Sequence, residues 1–193
     1  IANLGDVPAT LDYFQGSMYE AVEKIAEKYP DYIAYDFMGR STTYKKFVEQ
    51  INLCARALKA IGIREGAVAA AVDRFVITIC MPNCPQTVIM FYAVNLVGGI
   101  ANMVHPLSSE KEIEFYLKES GSICALTLDQ FYHKFEAIRQ NVESLNNVII
   151  ASIKDELSKP IKVGYMLTEG RKIQKIPADA PIIRWKEVFQ MGN

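Results

Sequence analysis

The sequence predicts an α/β fold: a mostly parallel sheet flanked by helices, preceded by a small N-terminal helix and β-hairpin. Three observations predict it. From Phe75 to Ala151 short apolar runs alternate with helix-period segments, the rhythm of βαβ units. The stretch Phe75 to Ser109 carries no Asp, Glu, Lys or Arg, as expected of strands buried on both faces and of the helices over them. Capping signals stand at helix starts, so local chemistry and periodicity agree.

The first helix begins at Ser17, where Glu20 completes an S-x-x-E capping box and Val22, Ile25 and Ala26 form the apolar face; it ends near Tyr29-Pro30. Ile33 to Phe37 and Ser41 to Tyr44 flank Met38-Gly39-Arg40 as a hairpin. A second helix runs to Ile61, with Phe47, Ile51, Cys54, Ala55 and Leu58 spaced three and four apart, and Gly62 stops it. Then come strand 75–81, helix 84–97, strand 100–104, helix 110–119, strand 123–128, helix 130–143 and strand 147–151. Asn83 is placed to cap the third helix with Pro85 in its first turn, and Ser109 with Glu112 forms a second capping box. Residues 153–193 read as an appendage at the sheet edge, with short apolar pieces at Val163 to Leu167 and Ile182 to Val188.

Composition excludes several classes. With 193 residues, 21 Lys+Arg against 22 Asp+Glu and half of the residues hydrophobic, the chain is neither disordered nor a polycationic nucleic-acid arm. The apolar run Thr87 to Val104 is near membrane-spanning length, but Pro82, Asn83 and Pro85 before it, Asn95, Gly98, Gly99 and Asn102 within it, and Pro106 after it cut it into elements of globular length. No transmembrane segment is expected. Four cysteines, three of them (Cys54, Cys80, Cys124) in apolar runs, suit buried free thiols and a reducing cytoplasm. The start, Ile1 to Asp6, has neither an initiating Met nor a signal-peptide pattern.

Few residues announce chemistry. Cys80 and Cys84, separated by three residues, lack the paired spacing of structural zinc, and no metal site is expected. No G-x-G-x-x-G, G-x-x-x-x-G-K-[ST] or G-x-S-x-G is present, so dinucleotide, Walker-type and hydrolase-elbow sites are disfavoured. Glu110 with Glu112, and Asp155 with Glu156, are expected on solvated surface segments. Arg171, Lys172 and Lys175 make the tail slightly basic, either as solvated charge or as an attraction for an anionic ligand. Ligands of open parallel sheets lie beyond the carboxyl ends of the strands, which makes Pro82 to Cys84, His105 to Ser109 and Asp129 the positional candidates.

Several of these segments together resemble the opening of AMP-forming acyl-CoA synthetases. They are Ser17 to Tyr29, the hairpin at Gly39, Thr43-Tyr44, Gly62-Ile63-Arg64-Glu65-Gly66, Asp73-Arg74-Phe75-Val76-Ile77 and Met81-Pro82-Asn83-Cys84. Gly98-Gly99-Ile100, His105-Pro106-Leu107-Ser108-Ser109-Glu110 with Ile113, and the Trp-centred Ile182 to Phe189 continue the likeness over nearly the whole chain. The resemblance implies that residues 1–193 are the first part of an AMP-binding domain. The whole enzyme would activate a carboxylic acid, here a medium- or long-chain fatty acid, with ATP and Mg²⁺, and pass the acyl group to coenzyme A.

By the same resemblance Val104, His105 and Pro106 line the coenzyme A entrance, and no residue of this chain is catalytic. The family's Thr/Ser/Gly-rich loop with its Lys, and its later catalytic Lys, are missing, so the piece alone is expected to be inactive and to bind no cofactor tightly. The hexapeptide Ala67-Val68-Ala69-Ala70-Ala71-Val72 departs from the family pattern. A noncatalytic α/β binding module is the alternative, and the encoding frame beyond Asn193 separates the two. The oligomeric state is left open.

Overall fold

A computed structural model describes residue 10, residues 12–63 and residues 75–193. The hexapeptide Ala67 to Val72, the family-like Arg64 to Gly66 and Asp73-Arg74, and the amino terminus lie outside the described residues.

Helix α1 (Met18–Lys28) starts on the expected capping box, in which the Ser17 hydroxyl accepts from Glu20 N at 3.1 Å and Glu20 Oε2 accepts from Ser17 N at 2.6 Å. Strands β1 (Ile33–Phe37) and β2 (Arg40–Thr43) pair antiparallel. Met38 and Gly39 both take positive φ, the geometry that matches a two-residue turn to the strand twist. Helix α2 (Tyr44–Ala60) is capped by Thr43 and buries Phe47, Ile51, Cys54, Ala55 and Leu58, the residues that the periodicity selects.

Strands β3 (Val76–Cys80), β4 (Ile100–Met103), β5 (Cys124–Leu128), β6 (Asn147–Ala151) and β7 (Ile183–Arg184) form one parallel sheet in the order β4-β3-β5-β6-β7. From β3 the chain steps to β4 on one side and then returns to β5 on the other. The strand order therefore reverses at β3, and this topology opens a crevice beyond the carboxyl ends of β3 and β5.

The two faces carry separate cores. Helices α1, α2 and α3 (Pro85–Leu96) cover one face with α7 (Trp185–Met191), over Ile77, Ile79, Leu126 and Ile149. Helices α4 (Glu110–Ser120) and α5 (Tyr132–Ile138) cover the other, over Cys80, Ala125, Val148 and Ile150. The alternation along each strand is the period of two expected of a pleated strand. The charge-free stretch now has its cause: every residue of β3 is buried, and α3 is packed between the sheet and the α1–α2 layer.

The two asparagines in that stretch are satisfied. Asn95 Oδ1 accepts from Tyr19 N at 2.9 Å and so docks the start of α1. Asn102 Nδ2 donates to Thr78 Oγ1 (3.0 Å) and to Ser120 Oγ (3.2 Å), inside a network that also holds Ser122. Among the described residues no helix is long and apolar enough to cross a membrane.

Four expectations are corrected. The residue at the N-cap of α3 is Cys84, not Asn83: Cys84 has the extended backbone of a cap and Pro85 begins the helix, which leaves the exposed Asn83 one residue too early. The helix expected over 130–143 is only Tyr132–Ile138, with 3₁₀ turns at Asp129–Phe131 and Arg139–Asn141. The Asp129 carboxylate accepts from the next amide at 3.0 Å and tightens the entry. Glu156 is buried rather than solvated, facing Arg40 at 3.5 Å. The apolar tail pieces are structured: Val163 to Leu167 belongs to helix α6 (Lys159–Leu167), and Ile182 to Val188 contains edge strand β7 and the start of α7, whose Trp185 and Val188 are part of the core.

Candidate functional site

The crevice at the strand reversal is an open cleft of about 550 Å³, lined by Met81, Pro82 and Asn83 after β3, Met103 to Leu107 at the end of β4, and Gln130 and Phe131 after β5. All three residues expected at a ligand entrance lie in it. Val104 is buried and extends the ladder, its N–H donating to Ile79 O at 3.1 Å. His105 is exposed; its Nδ1 accepts from Leu107 N at 3.3 Å, and its carbonyl accepts from Ser108 N at 3.1 Å, so the ring and the backbone close one tight turn. Pro106 is buried behind the turn.

Two side chains absent from the sequence expectations hold these loops. Lys134 Nζ on α5 donates to Pro106 O (3.1 Å) and Ser108 O (2.6 Å), and lies 5.4 Å from the Phe131 ring centroid. Thr87 Oγ1 on α3 donates to Pro82 O at 2.6 Å. A lysine in an amphipathic helix and a threonine in an apolar one carry no local signal of this role, because their partners are carbonyls brought near only by the sheet order.

Of the positional candidates, Pro82, Asn83, His105, Pro106 and Leu107 come together, and Asp129 does not. Asp129 opens instead on clefts shared with Lys154 and Arg184 beside β6 and β7. Lys175 lines one of these clefts, Lys172 pairs with Glu169 at 2.8 Å, and Arg171 is exposed.

The cleft is suited to binding rather than bond-making. Its walls are mainly Met, Leu, Pro and Phe side chains, and its polar side chains are one imidazole and the amides of Asn83 and Gln130. Cys80 lies behind the turn, its Sγ 3.9 Å from His105 O, and burial pushes its thiol up to about 12; Cys84 is likewise raised by burial. Neither is an activated nucleophile. Among the described residues no three His, Cys, Asp or Glu side chains converge on one point, so these residues do not build a Mg²⁺ shell.

Residues 22–181 match the model of the AMP-binding enzyme family. The chain belongs to the AMP-binding enzyme family. Within it, the long-chain-fatty-acid–CoA ligase of Bacillus subtilis (strain 168) is 31% identical over 169 residues, which cover 87% of this chain and 28% of that protein. The corresponding ligase of Yersinia pestis is 30% identical over 192 residues, covering 97% of this chain and 33% of that protein. The chain thus spans about a third or less of the curated relatives it matches. Among solved structures, the anthranilate CoA ligase in complex with anthranoyl-AMP superposes with a TM-score of 0.70 at 15% identity, over 91% of this chain and 28% of that one. Coronafacic acid ligase from Pectobacterium brasiliense gives the same TM-score of 0.70 at 15% identity, over 91% and 29%. At such identities the superpositions establish the AMP-binding fold.

Proposed function

We propose that this chain is the opening portion of an ATP-dependent, AMP-forming ligase that joins a medium- or long-chain fatty acid to coenzyme A, and that its cleft admits the coenzyme A arm. The observation that carries this reading is the likeness, along almost the whole chain, to proteins named long-chain-fatty-acid–CoA ligases. The apolar cleft at the strand reversal supports it.

The chemistry has two steps. A carboxylate oxygen bonds to the α-phosphorus of ATP and pyrophosphate leaves; the coenzyme A sulfur then bonds to the acyl carbon and AMP leaves, while the thiol proton passes to a base. A carboxylate resists thiol attack because its charge is delocalised and oxide is a poor leaving group, whereas AMP leaves readily. A divalent ion supplies neutralisation of the phosphate charge when bound.

This chain's share is positioning. Met103, Leu107 and Phe131 shelter the apolar parts of a pantetheine arm, and His105, Asn83 and Gln130 hydrogen-bond its amides. Lys134 and Thr87 keep the two loops at fixed spacing so that the arm meets a formed groove.

In the complete polypeptide, His105→Ala is expected to raise KM for coenzyme A about tenfold while fatty-acid-dependent exchange of pyrophosphate into ATP is unchanged, the pattern of a lost binding contact. Equal loss in both half-reactions would refute the assignment of the cleft. The 193-residue chain alone is expected to release no pyrophosphate from ATP and a fatty acid, and detectable release contradicts the division of labour.

A further inference from the structure

Helix α6 is the one α-helix among the described residues that buries none of its side chains. It lies in the connection from β6 to β7, and Ser158 precedes it. Val163, Met166 and Leu167, three and four residues apart, share one face and are 59%, 51% and 56% exposed. Lys159 lies one turn before Val163 on that face, and Lys162 flanks it.

The 3₁₀ turn Glu169–Arg171 and the residues after it continue the pattern with Arg171, Lys172 and Lys175, all exposed. Residues 158–176 thus hold five basic side chains and one acidic, Glu169, in a chain whose totals are 21 and 22. Glu169 is engaged with Lys172 at 2.8 Å. The basic charge of the molecule is concentrated around its one uncovered apolar helix face.

We infer that this segment is a surface contact for an anionic phospholipid bilayer, with α6 lying in the interface. An apolar row edged by lysines is the arrangement that interfacial helices use: the row enters the acyl boundary, and the long lysine stems carry their ammonium groups back to the phosphates. A helix of this length with three apolar side chains cannot hold a bilayer by burial alone, so the attachment needs the attraction of the basic residues to an acidic leaflet, and salt weakens it. The charge favours this occupant over a protein groove, since the lysines surround the row where a protein partner's rim would need carboxylates at matching points. Tyr165 and Met166 share a cleft with Asp129, which follows β5, so α6 stands on the same rim of the sheet as the cleft after β3 to β5. A bilayer under α6 would therefore face the rim on which ligands enter. This inference is independent of the proposed reaction.

Flotation of the 193-residue chain with phosphatidylcholine vesicles, with and without about 30 mol% phosphatidylserine, tests it. Recovery in the floated fraction is expected with the acidic vesicles, at least about tenfold lower with pure phosphatidylcholine or at about 0.5 M salt. The double variant Val163→Glu with Leu167→Glu, and separately Lys159→Glu with Lys162→Glu, are each expected to abolish recovery. All four side chains leave the core untouched, so unchanged thermal melts of both variants establish that folding is intact. Absence of flotation overturns the inference, as does flotation that both variants retain. A concentration-dependent dimer that V163E with L167E dissolves, seen by sedimentation in the absence of flotation, also overturns it, because a second copy then covers the face.

Discussion

A hydrogen in place of a side chain decides the packing at Gly99. A Cβ built there would run into the Phe75 ring, which is 2% exposed and closes the core where the helix–turn–strand unit α3–β4 returns to the sheet. The preceding Gly98 holds φ at +79°, so the pair divides its duties: Gly98 supplies the left-handed turn, and Gly99 the close approach. Gly99→Ala is expected to lower unfolding free energy by about 1–3 kcal/mol through overpacking, measured by urea denaturation. At Glu156, burial raises the carboxyl above its ordinary value of 4.5, opposed by Arg40 and reinforced by Asp155. The folded state therefore holds the proton more tightly than the unfolded chain. The stability that this group contributes is full below the ordinary carboxyl range and is lost as pH rises through the raised folded value. Melting temperatures of the protein and of Glu156→Gln, followed from about pH 4 to about pH 8, are expected to show the variant gaining on the parent as pH rises. A constant difference would mean that the carboxyl titrates alike in both states.

Among the elements, α2 has the widest influence because it touches α1, α3 and α7 at once. Its start rests on the Thr43 hydroxyl, which accepts from Lys46 N at 3.3 Å, and its far end meets the last residues, where Arg56 Nε donates to Gly192 O at 2.5 Å. Thr43→Ala removes the cap and is expected to cost about 1 kcal/mol in chemical unfolding, without altering the helical circular dichroism of the folded state. Helices whose start signals lie within four residues were legible in the sequence: the Ser17–Glu20 and Ser109–Glu112 boxes stand where the spacing puts them. The start of α3 was misplaced by one residue because its cap makes no side-chain hydrogen bond, leaving Asn83 as a plausible local decoy. The helix over 130–143 was drawn too long because Tyr132, Phe135 and Ile138, spaced by three, satisfy helical periodicity while the 3₁₀ turns beside them depend on local hydrogen bonds that periodicity does not register.

At the scale of the molecule, the last forty or so residues are where expectation and structure differ most. Ile183 and Arg184 pair with Ile149 and Ile150, and Trp185, 2% exposed, meets the Phe189 ring edge-on with centroids 5.2 Å apart beneath α2. A chain ended after Ser152 would bare the β6 edge and the α2 face. It is expected to lose cooperative thermal unfolding, whereas a truncation that merely shed an appendage would leave the melt unchanged. The residues alone carried the element types, the parallel sheet, the buried thiols and the family likeness, since those follow from short-range periodicity, capping and segment wording. They also placed Val104, His105 and Pro106 at a strand end. Which loops meet there was beyond them: the order β4-β3-β5-β6-β7 puts Asn83, His105 and Gln130 around one cleft and sends Asp129 to another, and it brings Lys134 onto Pro106 and Ser108. Strand order is a global outcome of burying two helical layers on one sheet, so no window of sequence encodes it, and the groove it forms exists only once the chain has closed around β3.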